Sequence, residues 1–321
     1  MPLPSGSVTV GFDIGGTNLR GAAVDATGRI IDSAQVPTPA TADELESAVA
    51  EIVAHHGRRY EVGAVGLAVA GFLDPDCTTV RFAPHLPWRD APVRDTLQEQ
   101  LGIPVTLEHD ANAAAWGEYR FGAARGARVW TLFAVGTGIG GALMIDGRLY
   151  RGAYGTAPEF GHLTVVRDGR PCSCGKSGCL ERYCSGTALV ETAREIIDRG
   201  ADGTYGLSAA YRENGGGELT GRAIMAAARG GDPVATAAVA DYTGWLGQGL
   251  SIVADILDPE LIVIGGGVST DSDLWLEEAR LRFEESIVGA GHRPVARLAT
   301  AELGADAGMI GVADLARSGG C

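Results

Sequence analysis

Basic residues are scarce in this chain: 26 Lys plus Arg stand against 40 Asp plus Glu, a formal charge of −14. A surface of that sign repels nucleic acid and anionic lipid, so neither is an expected partner, and any phosphate must be held locally. No apolar run approaches the roughly 20 residues that a membrane-spanning helix needs, because glycine or charge interrupts each one. The opening stretch MPLPSGSVTV lacks a basic-then-apolar signal segment. That predicts a reducing cytoplasmic location and argues against disulfides among the six cysteines.

What is present suits a globular enzyme. The 321 residues are 45% hydrophobic and 21% charged, enough chain for two cores. The 48 glycines cluster at the ends of apolar runs, where tight turns and close ligand approach favour a missing Cβ.

Between Gly161 and Glu181 the chain reads GHLTVVRDGRPCSCGKSGCLE, which gathers His162, Cys172, Cys174 and Cys179 between Glu159 and Glu181. One imidazole and three thiolates match a closed tetrahedral zinc site, because borderline-soft Zn²⁺ prefers nitrogen and sulfur and all four positions are filled. Isolated buried thiols are the competing reading, but scattered core cysteines do not crowd into C-x-C-x4-C. Such a metal braces a loop and activates no water, which argues against a zinc hydrolase. Cys77, Cys184 and Cys321 are read as ordinary thiols.

The apolar pattern predicts two αβ halves. Val8–Phe12, the turn Asp13-Ile14-Gly15-Gly16-Thr17, Leu19–Val24 and Arg29–Ile31 predict three antiparallel strands. Thr41 with Glu44 signals a helix start, and Leu45, Val49, Ile52 and Val53 share its face. Val62–Val69 is a buried strand ending at Gly71, Val93–Leu101 a helix, and Ile103–Leu107 a strand that delivers Glu108, His109, Asp110, Ala111 and Asn112. The plan then recurs: Trp130–Val135, the turn Gly136-Thr137-Gly138-Ile139-Gly140-Gly141, Ala142–Ile145 and an Asp146-Gly147-Arg148 hairpin. Pro233–Leu257 is a long apolar helix behind Asp232. Leu261–Ile264 is a strand emptying into Gly265-Gly266-Gly267, and 200–217 is a surface excursion.

Each glycine turn presents bare backbone to which phosphate oxygens can come close, with Asp13 able to hold Mg²⁺ and Thr17 to donate a hydroxyl. A single such turn is equally a plain β-turn; its repetition favours two phosphate clamps. Gly265–Gly267 reads as a place for adenine and ribose or as a simple strand-to-helix connection. Asp110, a carboxylate at a strand end, suits a general base, and it also suits the N-cap of a helix over 111–119. Glu159, His162 and Glu181 suit recognition of vicinal hydroxyls.

The Asp13–Thr17 turn, Asp110-Ala111-Asn112, GTGIGG, Glu159-x-Gly-His162, the run from Cys172 to Glu181 and the IGGG turn resemble, in order and spacing, the ROK family of sugar kinases. AAAWGEYRFGAARG and SGTALV are similar to its actinobacterial glucokinases. The resemblance implies an α/β fold of the actin-like ATPase (ribonuclease H-like) class, with two domains, a central cleft and a structural zinc loop. It divides the chain into a small domain over 1–112, a large one over 113–303, and a C-terminal helix of about 304–321 returning to the first. It implies ATP-dependent phosphorylation of a hexose, glucose foremost, at the 6-hydroxyl, with Mg²⁺ accompanying ATP and Asp110 as base. Gly71, His109, Asp110, Glu159, His162 and Glu181 would contact the sugar. Asp13, Gly15, Gly16, Thr17, Asn18, Gly136, Thr137, Gly138, Gly140 and Gly265 to Gly267 would contact ATP. A homodimer or homotetramer is implied. The chain departs from the family at His109, where Asn is usual, which keeps mannose, N-acetylhexosamine and C7-cyclitol as alternative substrates. The family also contains sugar-sensing repressors, whose DNA-binding region is not recognisable here and fits poorly with the negative charge.

Overall fold

The computed structural model describes residues 4, 6–200, 206–213 and 219–320. Its first hairpin, β1 (Val8–Ile14) and β2 (Asn18–Val24), folds at the Gly15–Thr17 turn, and β3 (Ile30–Pro37) extends it antiparallel. Helix α1 (Ala42–Gly57) starts where Thr41 accepts from the Glu44 amide, and it buries Leu45, Val49, Ile52 and Val53. β4 (Val62–Val69) then pairs parallel with β1. A small sheet of β5 (Phe72–Leu73), β6 (Val80–Phe82) and β7 (Arg89–Ala91) precedes α2 (Val93–Leu101). β8 (Val105–His109) pairs parallel with β4 and runs directly into α3 (Asp110–Phe121).

The pattern then repeats. β9 (Val129–Val135), β10 (Ile139–Ile145) and β11 (Arg148–Leu149) are followed by α4 (Glu181–Cys184), α5 (Gly186–Asp198), α6 (Gly206–Glu213), α7 (Gly221–Arg229) and α8 (Pro233–Leu257). β12 (Leu261–Gly265), α9 (Leu276–Ser286), β13 (Arg297–Thr300) and α10 (Ala307–Ser318) complete the chain. The two larger sheets run β3-β2-β1-β4-β8 and β11-β10-β9-β12-β13. Each is the same five-strand path, as the recurring strand, glycine turn and hairpin predict. The fold is α/β with mixed sheets.

The chain divides into two compact units: 1–132 with 142–158 and 301–321, and 133–141 with 159–300. The sequence boundary between residues 112 and 113 therefore differs from the observed one, and it would cut α3. A Cβ on Gly311 would overlap the Ala113 carbonyl, and one on Gly117 would stand 2.6 Å from the Ala307 carbonyl. Two helices in backbone contact stay together, so α3 belongs with α10 in the first unit. Gly11 of β1 and Gly66 of β4 give α10 the same close approach, since a Cβ there would strike the Met309 or Val312 carbonyl.

In the second unit, Asp232 caps α8 by accepting from the Ala235 amide at 2.9 Å. The apolar residues of α8, from Val234 to Ala254, are largely buried within that unit. The predicted excursion over 200–217 contains α6, docked through buried Leu207. Residues 201–205 and 214–218 and Cys321 lie outside the described residues. Among the described residues no helix is long and apolar enough to cross a membrane.

Candidate active site

In the first unit, β1 delivers Asp13 to the start of the glycine turn. Gly15 donates its amide to the Asn18 carbonyl at 3.1 Å, and Thr38 closes the loop with its hydroxyl on the Gly15 carbonyl at 2.6 Å and its amide on the Thr17 carbonyl at 3.0 Å. Asn18 Oδ1 accepts from Gln35 at 2.9 Å. Gly16, Thr17 and Asn18 are exposed. A Cβ on Gly16 would stand 2.6 Å from that of His85, so this glycine also answers a packing need. Asp13 Oδ2 lies 3.8 Å from Arg20, which in turn donates to Asp306 at 2.5 Å. Burial, then the negative charge of Asp110, raise the Asp13 pKa above the usual carboxylate value, against the pull of Arg20.

Asp110 opens α3 instead of capping it: His109 holds the cap position, and Asp110 Oδ1 accepts from the adjacent Ala111 amide at 2.7 Å. Its side chain is 44% exposed, and His109 Nε2 lies 3.2 Å from the same oxygen. Beneath it sits a residue that sequence reasoning quoted without a role. Glu108, 1% exposed, accepts from the His109 amide at 2.9 Å and from Asn112 Nδ2 at 3.0 Å, and it forms an ion pair with both Nε and Nη2 of Arg151. The pair holds the strand-to-helix corner that presents Asp110. No local signal points to Arg151, because the partnership depends on tertiary contact. Gly71 follows β4 with its amide on the Val69 carbonyl, and a Cβ there would stand 2.8 Å from Ala83.

In the second unit, Gly136 donates to the Gly138 carbonyl at 2.9 Å and accepts from the Gly186 amide at 2.8 Å, while the Thr187 hydroxyl reaches the Thr137 carbonyl at 2.8 Å. Gly136, Thr137, Gly186 and Thr187 line a pocket of about 700 Å³, together with Leu189, Val190, Leu219, Met225, Val268, Arg222, Thr270, Asp271 and Gly267. The apolar part suits a flat heterocycle, Asp271 and the hydroxyls suit a ribose, and Arg222 suits a phosphate. Of the glycines expected to meet nucleotide in this unit, Gly136 and Gly267 line the pocket together with Thr137. Gly138, Gly140, Gly265 and Gly266 are not among its lining residues. Gly266 has φ +82° and a Cβ there would overlap the Val135 carbonyl, so strand packing accounts for it. The contributions of Thr187, Arg222 and Asp271 escaped sequence reading.

The cysteine loop lies in the same unit. One ligand atom from each of His162, Cys172, Cys174 and Cys179 falls within 4.8 Å of the others. His162 Nδ1 is 3.7 Å from Cys172 Sγ, and Cys174 Sγ is 3.6 Å from Cys179 Sγ. Burial above all pushes the Cys172 thiol up to about 12, and the Glu181 carboxylate adds to it. One imidazole nitrogen and three sulfurs at these separations are a donor set that suits a metal ion. Glu181 joins this loop to the glycine turn: Oε1 lies 3.1 Å from Cys172 Sγ and Oε2 lies 3.4 Å from the Ile139 amide. Glu159 approaches His162 Nε2 at 3.9 Å from the other side. The structure thus brings Glu159, His162 and Glu181 together.

Two mixed α/β units, one with a nucleotide-sized pocket and one presenting an exposed carboxylate at a helix start, define an enzyme-like architecture rather than a simple binding module. The chain belongs to the ROK family, whose model matches residues 9–318. The glucokinase of Streptomyces coelicolor is 41% identical over 310 residues, covering 97% of this chain and 98% of the relative. The solved structure of a ROK family glucokinase from Streptomyces griseus in complex with glucose and AMPPNP superposes with a TM-score of 0.85 at 41% identity, covering 97% of this chain and 100% of that one. A xylose repressor of Caldicellulosiruptor bescii is 33% identical over 216 residues, which is 67% of this chain but 53% of the repressor.

Proposed function

We propose that this protein is an ATP-dependent sugar kinase of the actin-like ATPase fold that phosphorylates glucose at the 6-hydroxyl in the cytoplasm. The observation that carries the reading is the near end-to-end similarity to a glucokinase solved with glucose and AMPPNP. The repressor similarity covers only about half of that relative and favours regulation less.

Asp110 acts as general base. As the 6-oxygen forms its bond to the γ-phosphorus and the bond to ADP breaks, the hydroxyl proton passes to the Asp110 carboxylate. Its exposure leaves it open to substrate, while Glu108 and Arg151 keep its helix start fixed. Adenine occupies the apolar side of the second unit's pocket and the phosphates meet Gly136 and Thr137. Asp13 offers a hard oxygen ligand for the Mg²⁺ that accompanies ATP. Glu159, His162 and Glu181 take the sugar hydroxyls.

His162, Cys172, Cys174 and Cys179 would hold zinc, which supplies rigidity and no chemistry. Fixing the His162 tautomer fixes which ring nitrogen can address a hydroxyl. Release of ADP followed across glucose, mannose, N-acetylhexosamines and cyclitols tests the reading. Glucose should give the highest kcat/KM; no release above the sugar-free rate with glucose would refute it.

A further inference from the structure

A second cluster of metal-ligating side chains lies in the first unit, apart from every residue discussed above. Asp32 on β3 and His55 and His56 in the last turn of α1 bring a carboxylate oxygen and two ring nitrogens within 4.8 Å of one another. His56 is fully buried, and its ring nitrogens face the Gly21 backbone and Asp32 without making a well-formed hydrogen bond to either. Its Nδ1 points to Asp32 Oδ2 at 3.7 Å, too far for a hydrogen bond. His55, exposed, sets its ring at 74° to that of His56 with centroids 5.3 Å apart.

A buried imidazole with no well-formed hydrogen bond is unfavourable, because its nitrogens have exchanged water for poorer contacts. A residue retained only for packing would be better as leucine. A ligand that bonds Nδ1 removes part of that penalty, and the neighbouring atoms say what kind. Two imidazole nitrogens and one carboxylate oxygen suit a borderline divalent ion such as Zn²⁺, Ni²⁺ or Co²⁺, whereas Mg²⁺ and Ca²⁺ favour oxygen alone.

We propose that Asp32, His55 and His56 form a second divalent transition-metal site, which ties the end of α1 to β3. Asp32 Oδ1 accepts from the Ser33 amide at 3.0 Å, leaving Oδ2 for the ion. Arg59 competes for Oδ2 at 3.1 Å, but its side chain is mostly exposed and can swing away on binding. Water completes the coordination on the open side of His55. The site takes no part in the phosphoryl transfer proposed above.

The test uses the full untagged chain, with the cysteine loop first filled by one equivalent of Zn²⁺ and then titrated calorimetrically with Ni²⁺. Metal analysis verifies that the zinc stays bound. One Ni²⁺ per chain should bind, at least tenfold more weakly in His55→Ala and in Asp32→Asn, and unchanged in His85→Ala. His55 is exposed and Asn keeps the shape of Asp32, so both variants should fold, which thermal melts matching the parent would verify. Absence of Ni²⁺ binding, or equal affinity in the parent, His55→Ala and Asp32→Asn, would overturn the proposal.

Discussion

Glu181 places one carboxylate oxygen 3.1 Å from Cys172 Sγ, so the residue read as a sugar contact is also in touch with the cysteine loop. Its other oxygen would lie 2.7 Å from a Cβ on Gly138, which leaves that position little tolerance for a side chain. Glu181 thus links the cysteine loop to the Gly136–Gly138 turn within the second unit.

This connection predicts what zinc removal does. If the loop holds zinc as proposed, chelation or Cys174→Ser should release it, lower the melting temperature and raise the KM for glucose at least tenfold. Metal analysis, thermal melts and steady-state kinetics on the same samples check it. A zinc-free Cys174→Ser protein with the parent's glucose affinity would show that the metal braces nothing that the sugar needs.

Asp13 predicts a trade between stability and activity. Its folded-state pKa is raised, so ionising it weighs against the folded state. Below the ordinary value of 3.8 the group is protonated both folded and unfolded, and no penalty exists; the penalty grows as pH rises through the folded value and is complete above it. Asp13→Asn should accordingly melt higher than the parent at pH 7, with the gain fading as pH falls towards 4, while kcat drops at least tenfold. Melting curves across that pH range, paired with turnover at pH 7, decide it.

Arg151→Ala should be severely destabilising, because it strands the buried Glu108 carboxylate without its charged partner. Breaking a buried pair from one side costs about 3 kcal/mol or more. Chemical denaturation of the parent, Arg151→Ala and the double variant Arg151→Ala/Glu108→Gln measures the coupling; the double variant should recover part of the loss.

Much of this was legible in the sequence, and what was not has a physical cause. The glycine turns, the Thr41 and Asp232 caps and the C-x-C-x4-C cluster are local: their chemistry lies within a few residues and can be read in place. Glu108 with Arg151 and Glu181 with Ile139 are 43 and 42 residues apart in sequence, and no periodicity announces such meetings. The division into compact units differs from a boundary between residues 112 and 113 for the same reason. α3 follows β8 without a break, and only its backbone contact with α10 at Gly117 and Gly311 shows where it belongs. Gly266 needs its missing Cβ for its close approach to Val135, a constraint between segments far apart in sequence that no local pattern displays.

His109 lies 3.2 Å from Asp110 Oδ1, which in the proposed mechanism puts it beside both the base and the sugar. An imidazole and an amide present donors and acceptors at different reach. His109→Asn should change the ratio of kcat/KM for glucose to that for mannose or N-acetylhexosamine by about tenfold. An unchanged ratio would remove this position from the account of specificity.

The most direct test of the central claim is the turnover of Asp110→Asn with glucose and ATP, measured by coupled ADP release beside the parent. A positioned general base contributes about 100-fold or more. The account predicts that kcat falls by at least that factor while the KM for ATP stays within threefold of the parent. Turnover within tenfold of the parent would contradict it.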